Sequence, residues 1–253
     1  MESKLGRREF TQRALGSLLT FALIDTVRAG DVFASAIRPL MRHWIADLDA
    51  LGREVKDRKI KQVEWQAKVE ELFSKVDLAD FLKLIDFETI VKKGEAYKGL
   101  GAASLSANFP QVEGIPTKLI FGRQIFALKK GRSVVPHGHN NMATCFLILK
   151  GQLQGRHYDR LEDQKEHLII SPTIDKEFGP GGTSSISDVK DNIHWFKALS
   201  DSAFIFNIHL IGVSPGLKAP TGRVYVDPAG EKLEGGKIRA RLIEHDEADK
   251  LYG

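Results

Sequence analysis

Two histidines one residue apart, His137 and His139, end the run Gly131-Arg-Ser-Val-Val-Pro-His-Gly-His, just ahead of an apolar stretch that closes at Gly151. A third, His194, follows in Asp191-Asn-Ile-His-Trp-Phe. Alternate residues of a strand point to the same side. The pair can therefore aim two imidazoles at one point, and a neighbouring strand can bring His194 to it. Three imidazoles around one point, with no fixed carboxylate, form a site for a divalent first-row metal ion. Neutral ligands leave the full charge on the ion, and three of them leave coordination positions open. Ferrous iron, zinc and other divalent first-row ions all suit the set, and the residues alone do not choose among them.

Other side chains near these motifs are weaker candidates. His157 and Tyr158 are adjacent on one expected strand, so only one of them can look inward. Tyr158 is a catalytic candidate if its hydroxyl is the group that does. His209 alternates in phase with Asn207, and both are placed to line a cavity, which makes His209 the second catalytic candidate. Arg123 and Gln124 enter an early strand, where one of them could bind an anionic group. Met142 fits an apolar wall, Asn192 a turn before His194, and Cys145 a small core residue facing away from Thr144. His43, His167 and His245 read as surface or core histidines.

Composition sets outer bounds. The chain has 253 residues, 42% hydrophobic and 28% charged, which is an ordinary globular balance. Its net charge of +4 is spread among interleaved acids and bases, so nucleic-acid binding finds no support. The one cysteine, Cys145, permits no intrachain disulfide. Near the N-terminus, Arg7-Arg8-Glu9-Phe10 followed by an apolar segment over 14–24 resembles a bacterial twin-arginine export signal, with Ala34-Ser-Ala36 as its cleavage site. That segment is too short for a stable membrane span. The expected location is the periplasm or cell envelope, with the cytoplasm as the alternative.

Four regions follow: the export segment over 1–36, a helical layer over 37–94, a barrel over 95–215 and a C-terminal extension over 216–253. Leu40, Trp44, Leu48 and Leu51 recur at helical spacing, as do Val63, Val69, Leu72, Phe73 and Val76. Asp77 is an N-cap for a helix over 78–85, and Gly94 a stop. The helical layer carries no evident chemistry. Short apolar runs then occupy 119–128, 133–136, 144–150, 152–158, 167–170, 184–187 and 203–212, the texture of an antiparallel barrel or sandwich. Residues 223–226 read as an edge strand, and the last residues as a charged tail.

Residues 131–151 resemble the first motif of the cupin superfamily: glycine, five residues, His-x-His, four residues, an acid, six residues, glycine. Gly131, His137, His139 and Gly151 are in place, and Thr144 stands where many cupins carry a metal-ligating glutamate. The second motif is matched by His194 with Asn192 before it. The resemblance implies a mainly β cupin barrel (a double-stranded β-helix, or jelly roll), here with an N-terminal α-helical extension.

Within the cupins, thiol dioxygenases lack the glutamate and hold ferrous iron with three histidines. The branch of plant cysteine oxidases and cysteamine dioxygenases shows further residues matched here by Met142, Gly151, Tyr158 and Asp159. Its Asn-x-His-x-Phe signature is matched by Asn192-Ile-His194-Trp-Phe196. The chain departs from the branch at Gly138, at Phe206 or Asn207, and in Val213-Ser-Pro-Gly216, where the branch carries an acid, a second acid and a tyrosine. The resemblance thus implies a non-heme Fe(II) dioxygenase acting on a small thiol or related molecule with dioxygen, while the thiol-recognition residues do not carry over. A non-catalytic metal- or ligand-binding cupin, serving as a sensor or envelope protein, and a zinc-dependent isomerase or hydrolase are the alternatives. Cupins often pair through sheet edges, so a homodimer is the expected assembly.

Overall fold

The computed structural model describes residues 29–109, 116–216 and 218–253, with side chains from His43 onward. The arginine pair at Arg7-Arg8 and the apolar segment over 14–24 lie outside the described residues. The chain divides into two units, Met1–Met41 and Arg42–Gly253. Among the described residues no helix is long and apolar enough to cross a membrane.

Among the described residues, four helices precede the strands: α1 (Ala29–Lys56), α2 (Gln62–Ser74), α3 (Leu78–Leu84) and α4 (Phe87–Ala96). Helix α1 buries Trp44, Ile45, Leu48, Leu51 and Val55, the spacing of one helical face. Helix α2 buries Trp65, Val69 and Phe73, while Val63 is exposed. Asp77 caps α3 as expected, its carboxylate accepting from the Asp80 amide at 3.0 Å. Phe73, Phe81 and Phe109 converge on Phe206 of the following sheet, with Phe81 and Phe206 centroids 4.9 Å apart, and Trp44 packs on the same three rings. Burying each such aromatic stabilises the layer by about 2–3 kcal/mol.

Gly94 does not stop a helix. Helix α4 runs through it to Ala96. A Cβ at Gly94 would come within 2.6 Å of the Ala127 Cβ and 2.8 Å of the Phe204 ring, so glycine here permits close approach of helix to sheet.

Eleven strands follow among the described residues: β1 (Ala103–Ser106), β2 (Gly122–Lys129), β3 (Ser133–Asn140), β4 (Met142–Lys150), β5 (Leu153–Asp163), β6 (His167–Phe178), β7 (Thr183–Ile186), β8 (Ile193–Ala198), β9 (Ser202–Ile211), β10 (Gly222–Lys232) and β11 (Ile238–Ile243), before a last helix α5 (His245–Tyr252). One sheet runs β1-β2-β9-β4-β7, and β10-β11-β6-β5-β8-β3 form a closed barrel. The fold class is the expected one, mainly β with helices on the N-terminal side.

The C-terminal extension differs from expectation. Strand β10 is no edge: it pairs with β3 on one side and β11 on the other, and so closes the barrel past residue 215. The apparent charged tail holds β11 and α5. Its Ile238, Ala240 and Leu242 alternate with Arg239 and Arg241, a period of two that the overall charge of the segment conceals.

Two further apolar clusters lie among the strands. Phe126, Phe146 and Ile205 of the sheet meet Val134, Leu153, Phe178 and Phe196 of the barrel. A second cluster, Tyr158, Leu168, Ile170, Ile193, Val226 and Ala240, comes from barrel strands alone.

The close approach at Gly94 sets a sign. Alanine in a helix normally gains about 1 kcal/mol over glycine, whereas overpacking a rigid contact costs about 1–3 kcal/mol. Gly94→Ala is therefore expected to lower the unfolding midpoint in thermal or urea denaturation. A variant as stable as the parent, or more so, would contradict this contact.

Candidate metal centre

Register brings the three histidines together. His137 on β3 lies directly opposite His194 on β8, and His194 lies opposite His157 on β5. Directly opposed residues on antiparallel strands share a face. His139, two residues along β3, joins the same face. Ring centroids are 4.2 Å apart for His137 and His194, and 5.0 Å for His139 with each of the others. One ligand nitrogen from each lies within 4.8 Å of the others. The three side chains are 2%, 4% and 1% exposed, so no water can substitute for a missing ligand without entering the protein.

Hydrogen bonds define which nitrogen is available. His137 Nδ1 sits 2.7 Å from the Val135 carbonyl, and His194 Nδ1 3.3 Å from the Asn192 carbonyl. A carbonyl only accepts, so each Nδ1 carries the proton and each Nε2 keeps its lone pair. His139 Nδ1 lies 3.4 Å from the Thr144 hydroxyl, and its Nε2 is buried with no partner. Thr144, at the position where many cupins carry glutamate, thus engages a histidine.

Electrostatics keep the three rings neutral. Burial holds each well below the usual histidine range, and the neighbouring histidines and Arg223 push in the same direction. Neutral imidazoles with free lone pairs are what a metal requires. Together with the orphaned His139 nitrogen, the donor set fits a divalent first-row ion held by His137, His139 and His194.

The helical layer reaches this centre. Gln66 of α2 is buried; its amide donates to the Ser185 carbonyl at 3.1 Å and its oxygen accepts from Ser187 Oγ at 2.8 Å. Asn192 donates to the Ser187 carbonyl at 2.9 Å and to the His139 carbonyl at 2.8 Å. Asn192 therefore holds the turn before His194, as its position suggested, and Gln66 braces that turn from outside the barrel. Asp159 Oδ1 accepts from the Asp191 amide at 2.7 Å, where Asp191 adopts a left-handed φ of 56°.

Tyr158 requires a correction. It pairs with Ile193 and packs into the cluster formed by barrel strands alone, on the face opposite the histidines. His157 is the residue of that pair that looks toward the site. Its ring centroid is 6.2 Å from His194, between Phe178 and Phe196, and its ring nitrogens face Ser184 Oγ. The Tyr-Asp pair that matched the dioxygenase signature thus serves packing and turn geometry.

His209 lies opposite Thr144 on the sheet, half-buried, with its pKa lowered by burial and by Arg223. Asn207 is buried opposite Phe146, whose ring lies 5.2 Å from His194, and its side-chain oxygen has no partner. Phe206 points the other way, into the aromatic cluster under the helices. Gly138 faces away from the metal ligands too: a Cβ there would meet Ile193 at 2.4 Å and the Asn192 side chain at 2.6 Å. The acid that the dioxygenase branch has at this position therefore has no room here.

Arg123 stacks on Phe109 at 4.8 Å, and Gln124 pairs in register with Asn207 while accepting from Ser104 Oγ. Cys145 is fully buried, and burial raises its thiol pKa. Sequence reasoning missed Arg223 and Tyr225, which lie opposite His139 and His137 on β10. The Tyr225 ring is 5.8 Å from that of His137. Their period-two spacing was visible, but only the closure of the barrel shows which strand they face.

No family model and no curated protein matches the sequence. Among solved structures, the chain is similar to an uncharacterised conserved protein with a double-stranded β-helix domain from Klebsiella pneumoniae, at 8% identity and TM-score 0.33 over 51% of this chain and 84% of that one. It is similar to a cupin superfamily protein from Desulfitobacterium hafniense at 17% identity and TM-score 0.29, over 47% and 86%. It is also similar to an oxalate oxidase in complex with the substrate analogue glycolate, at 17% identity and TM-score 0.35. That match covers 51% of this chain and 56% of the oxidase, so the chain spans little more than half of it. The fold is mainly β, a closed six-stranded barrel with a five-stranded sheet, and it carries a three-histidine cluster able to hold a metal.

Burial pushes His157 down to about 3. An unfolded chain binds a proton at this residue below about pH 6.5, and the folded chain does not until near pH 3. The stability it contributes is complete above pH 6.5 and is lost as pH falls toward 3. Urea unfolding of metal-free protein should show a steeper acid loss for the parent than for His157→Gln. Parallel curves would refute this protonation state.

Proposed function

We propose that the protein is a non-heme iron dioxygenase in which His137, His139 and His194 hold ferrous iron and a small thiol or related molecule is oxidised by dioxygen. The observation that carries this reading is the cluster of three buried, neutral imidazoles with free lone pairs and no carboxylate ligand. The match of Met142, Gly151 and the Asn192-x-His194-x-Phe196 signature to three-histidine thiol dioxygenases supports it. Bound iron would supply open coordination positions at which two reactants are held together, an entropic advantage.

The chain's own residues have defined parts in this reading. The Val135 and Asn192 carbonyls orient the His137 and His194 rings and fix their tautomers. Phe146 and Phe196 form a dry wall behind His194 that excludes water from the reacting groups. His209, Asn207 and Tyr225 are the polar groups best placed to meet a substrate. Tyr158 has no part.

A second reading has an observation of its own. The ligands are almost completely buried, which suits a metal-binding module without turnover. Oxygen uptake by iron-loaded protein, offered a panel of small thiols, separates the two. The dioxygenase reading expects consumption of about one dioxygen per thiol oxidised and none in His194→Ala. Loaded protein that consumes no oxygen would leave the binding module, and turnover by the zinc form without oxygen would favour an isomerase or hydrolase.

A further inference from the structure

Helix α2 makes its contacts through two rows of residues. One row is apolar: Trp65, Val69 and Phe73. The other is polar: Gln62, Gln66 and Glu70, each four residues from the next and so stacked along one line of the helix. All three polar side chains engage the end of β7 and the connection from β7 to β8. Glu70 accepts from Ser185 Oγ. Gln66 donates to the Ser185 carbonyl and accepts from Ser187 Oγ. Gln62 Oε1 accepts from the Asp188 amide at 2.9 Å, and its Nε2 donates to Ser214 Oγ at 2.8 Å. Ser214 Oγ donates in turn to Asp188 Oδ2.

The apolar row would suffice to dock the helix, but apolar contact is non-directional and does not fix a position along the surface. Hydrogen bonds are directional, and a buried amide that misses its partners is destabilising. The polar row therefore fixes where residues 185–188 stand. Ser187 shows the consequence. Its hydroxyl has one proton, given to Gln66, and its lone pairs accept from the Val189 and Lys190 amides at 3.1 and 3.2 Å. Gln66 thus orients the hydroxyl around which the turn closes. The Ser187 carbonyl then accepts from Asn192, whose amide also donates to the His139 carbonyl and whose own carbonyl faces His194 Nδ1. Two of the three histidines are reached from one helix residue that touches neither.

We infer that Gln66 is a positioning residue of the metal centre, acting through Ser187 and Asn192, and that metal occupancy and docking of helix α2 are coupled. If a docked α2 strengthens metal binding by some factor, bound metal must strengthen α2 docking by the same factor. This rests on the three histidines holding a metal and not on any turnover there. It gives the helical layer a part in the chemistry of the centre without a residue in it.

Cobalt(II), titrated anaerobically into the full chain, supplies the test. Affinity is read by competition with a chelator, and ligand geometry from the visible ligand-field bands. Gln66→Met keeps the length of the side chain and removes both hydrogen bonds, whereas Val69→Ala weakens the same helix without touching the turn. Gln66→Met is expected to lower cobalt affinity by on the order of tenfold and to shift the bands. Val69→Ala is expected to lower the unfolding midpoint while leaving affinity within about twofold and the bands in place. Hydrogen exchange of the parent gives a reading that needs no variant to fold: loading with cobalt should slow α2 amides by on the order of tenfold, and more than those of α4. Equal loss of affinity in the two variants, or α2 exchange indifferent to cobalt, overturns the coupling and leaves the centre standing. A parent chain that binds no cobalt overturns the centre and the coupling with it.

Discussion

The pairing of β3 with β8 is the constraint on which the site depends. It sets His137 directly opposite His194, and the alternation of β3 adds His139 to the same face. A slip of one residue would send His194 into the barrel-only cluster and bring Ile193 or Trp195 toward His137. Nothing in the histidines themselves resists such a slip. What resists it is the sorting of neighbours. Ile193 is fully buried on one face with Tyr158, Val226 and Ala240, and Phe196 is buried on the other with Phe146 and Phe178. Returning several such side chains to the wrong face would cost about 1.5–3 kcal/mol each, far more than any single hydrogen bond at the site.

A second support is polar. From Gln66 through Ser187 and Asn192 to the His139 carbonyl, buried groups satisfy one another from helix α2 across the β7–β8 connection to strand β3. Such a network is stabilising only when complete. Its outer end lies on helix α2, so the helical layer is more than a cover: it holds the turn that presents His194. The exceptions are informative. His139 Nε2, Asn207 Oδ1 and Asn192 Oδ1 are buried without partners, and the first two lie on the surfaces that face the site. Buried unpaired polar atoms are costly, and a metal ion bound by the three histidines would give the first of them a partner.

Much of this was legible in the sequence, for physical reasons. The His-x-His spacing survives because a strand's period of two is independent of tertiary context, and Asn192 and Asp77 were readable because turn and cap chemistry is local. Tyr158 failed because its inward or outward sense depends on the register of β5 with β8, which no local pattern specifies. The Gly94 stop failed for the opposite reason: the glycine answers to Ala127 and Phe204, far away in sequence. Arg223 and Tyr225 were passed over because β10 is assigned to the site only once it closes the barrel against β3. The segment around them is rich in glycine, proline and charge, and its alternation is weak without that knowledge.

The central claim is that His137, His139 and His194 are a metal's protein ligands. X-ray absorption spectroscopy of protein purified and loaded with ferrous iron under anaerobic conditions tests it most directly. The account predicts one tightly held iron per chain with three imidazole nitrogens at about 2.0–2.2 Å and neither a cysteine sulfur nor a protein carboxylate in its shell. Protein that takes up no metal, or an absorption spectrum unchanged when all three histidines become alanine, would contradict it.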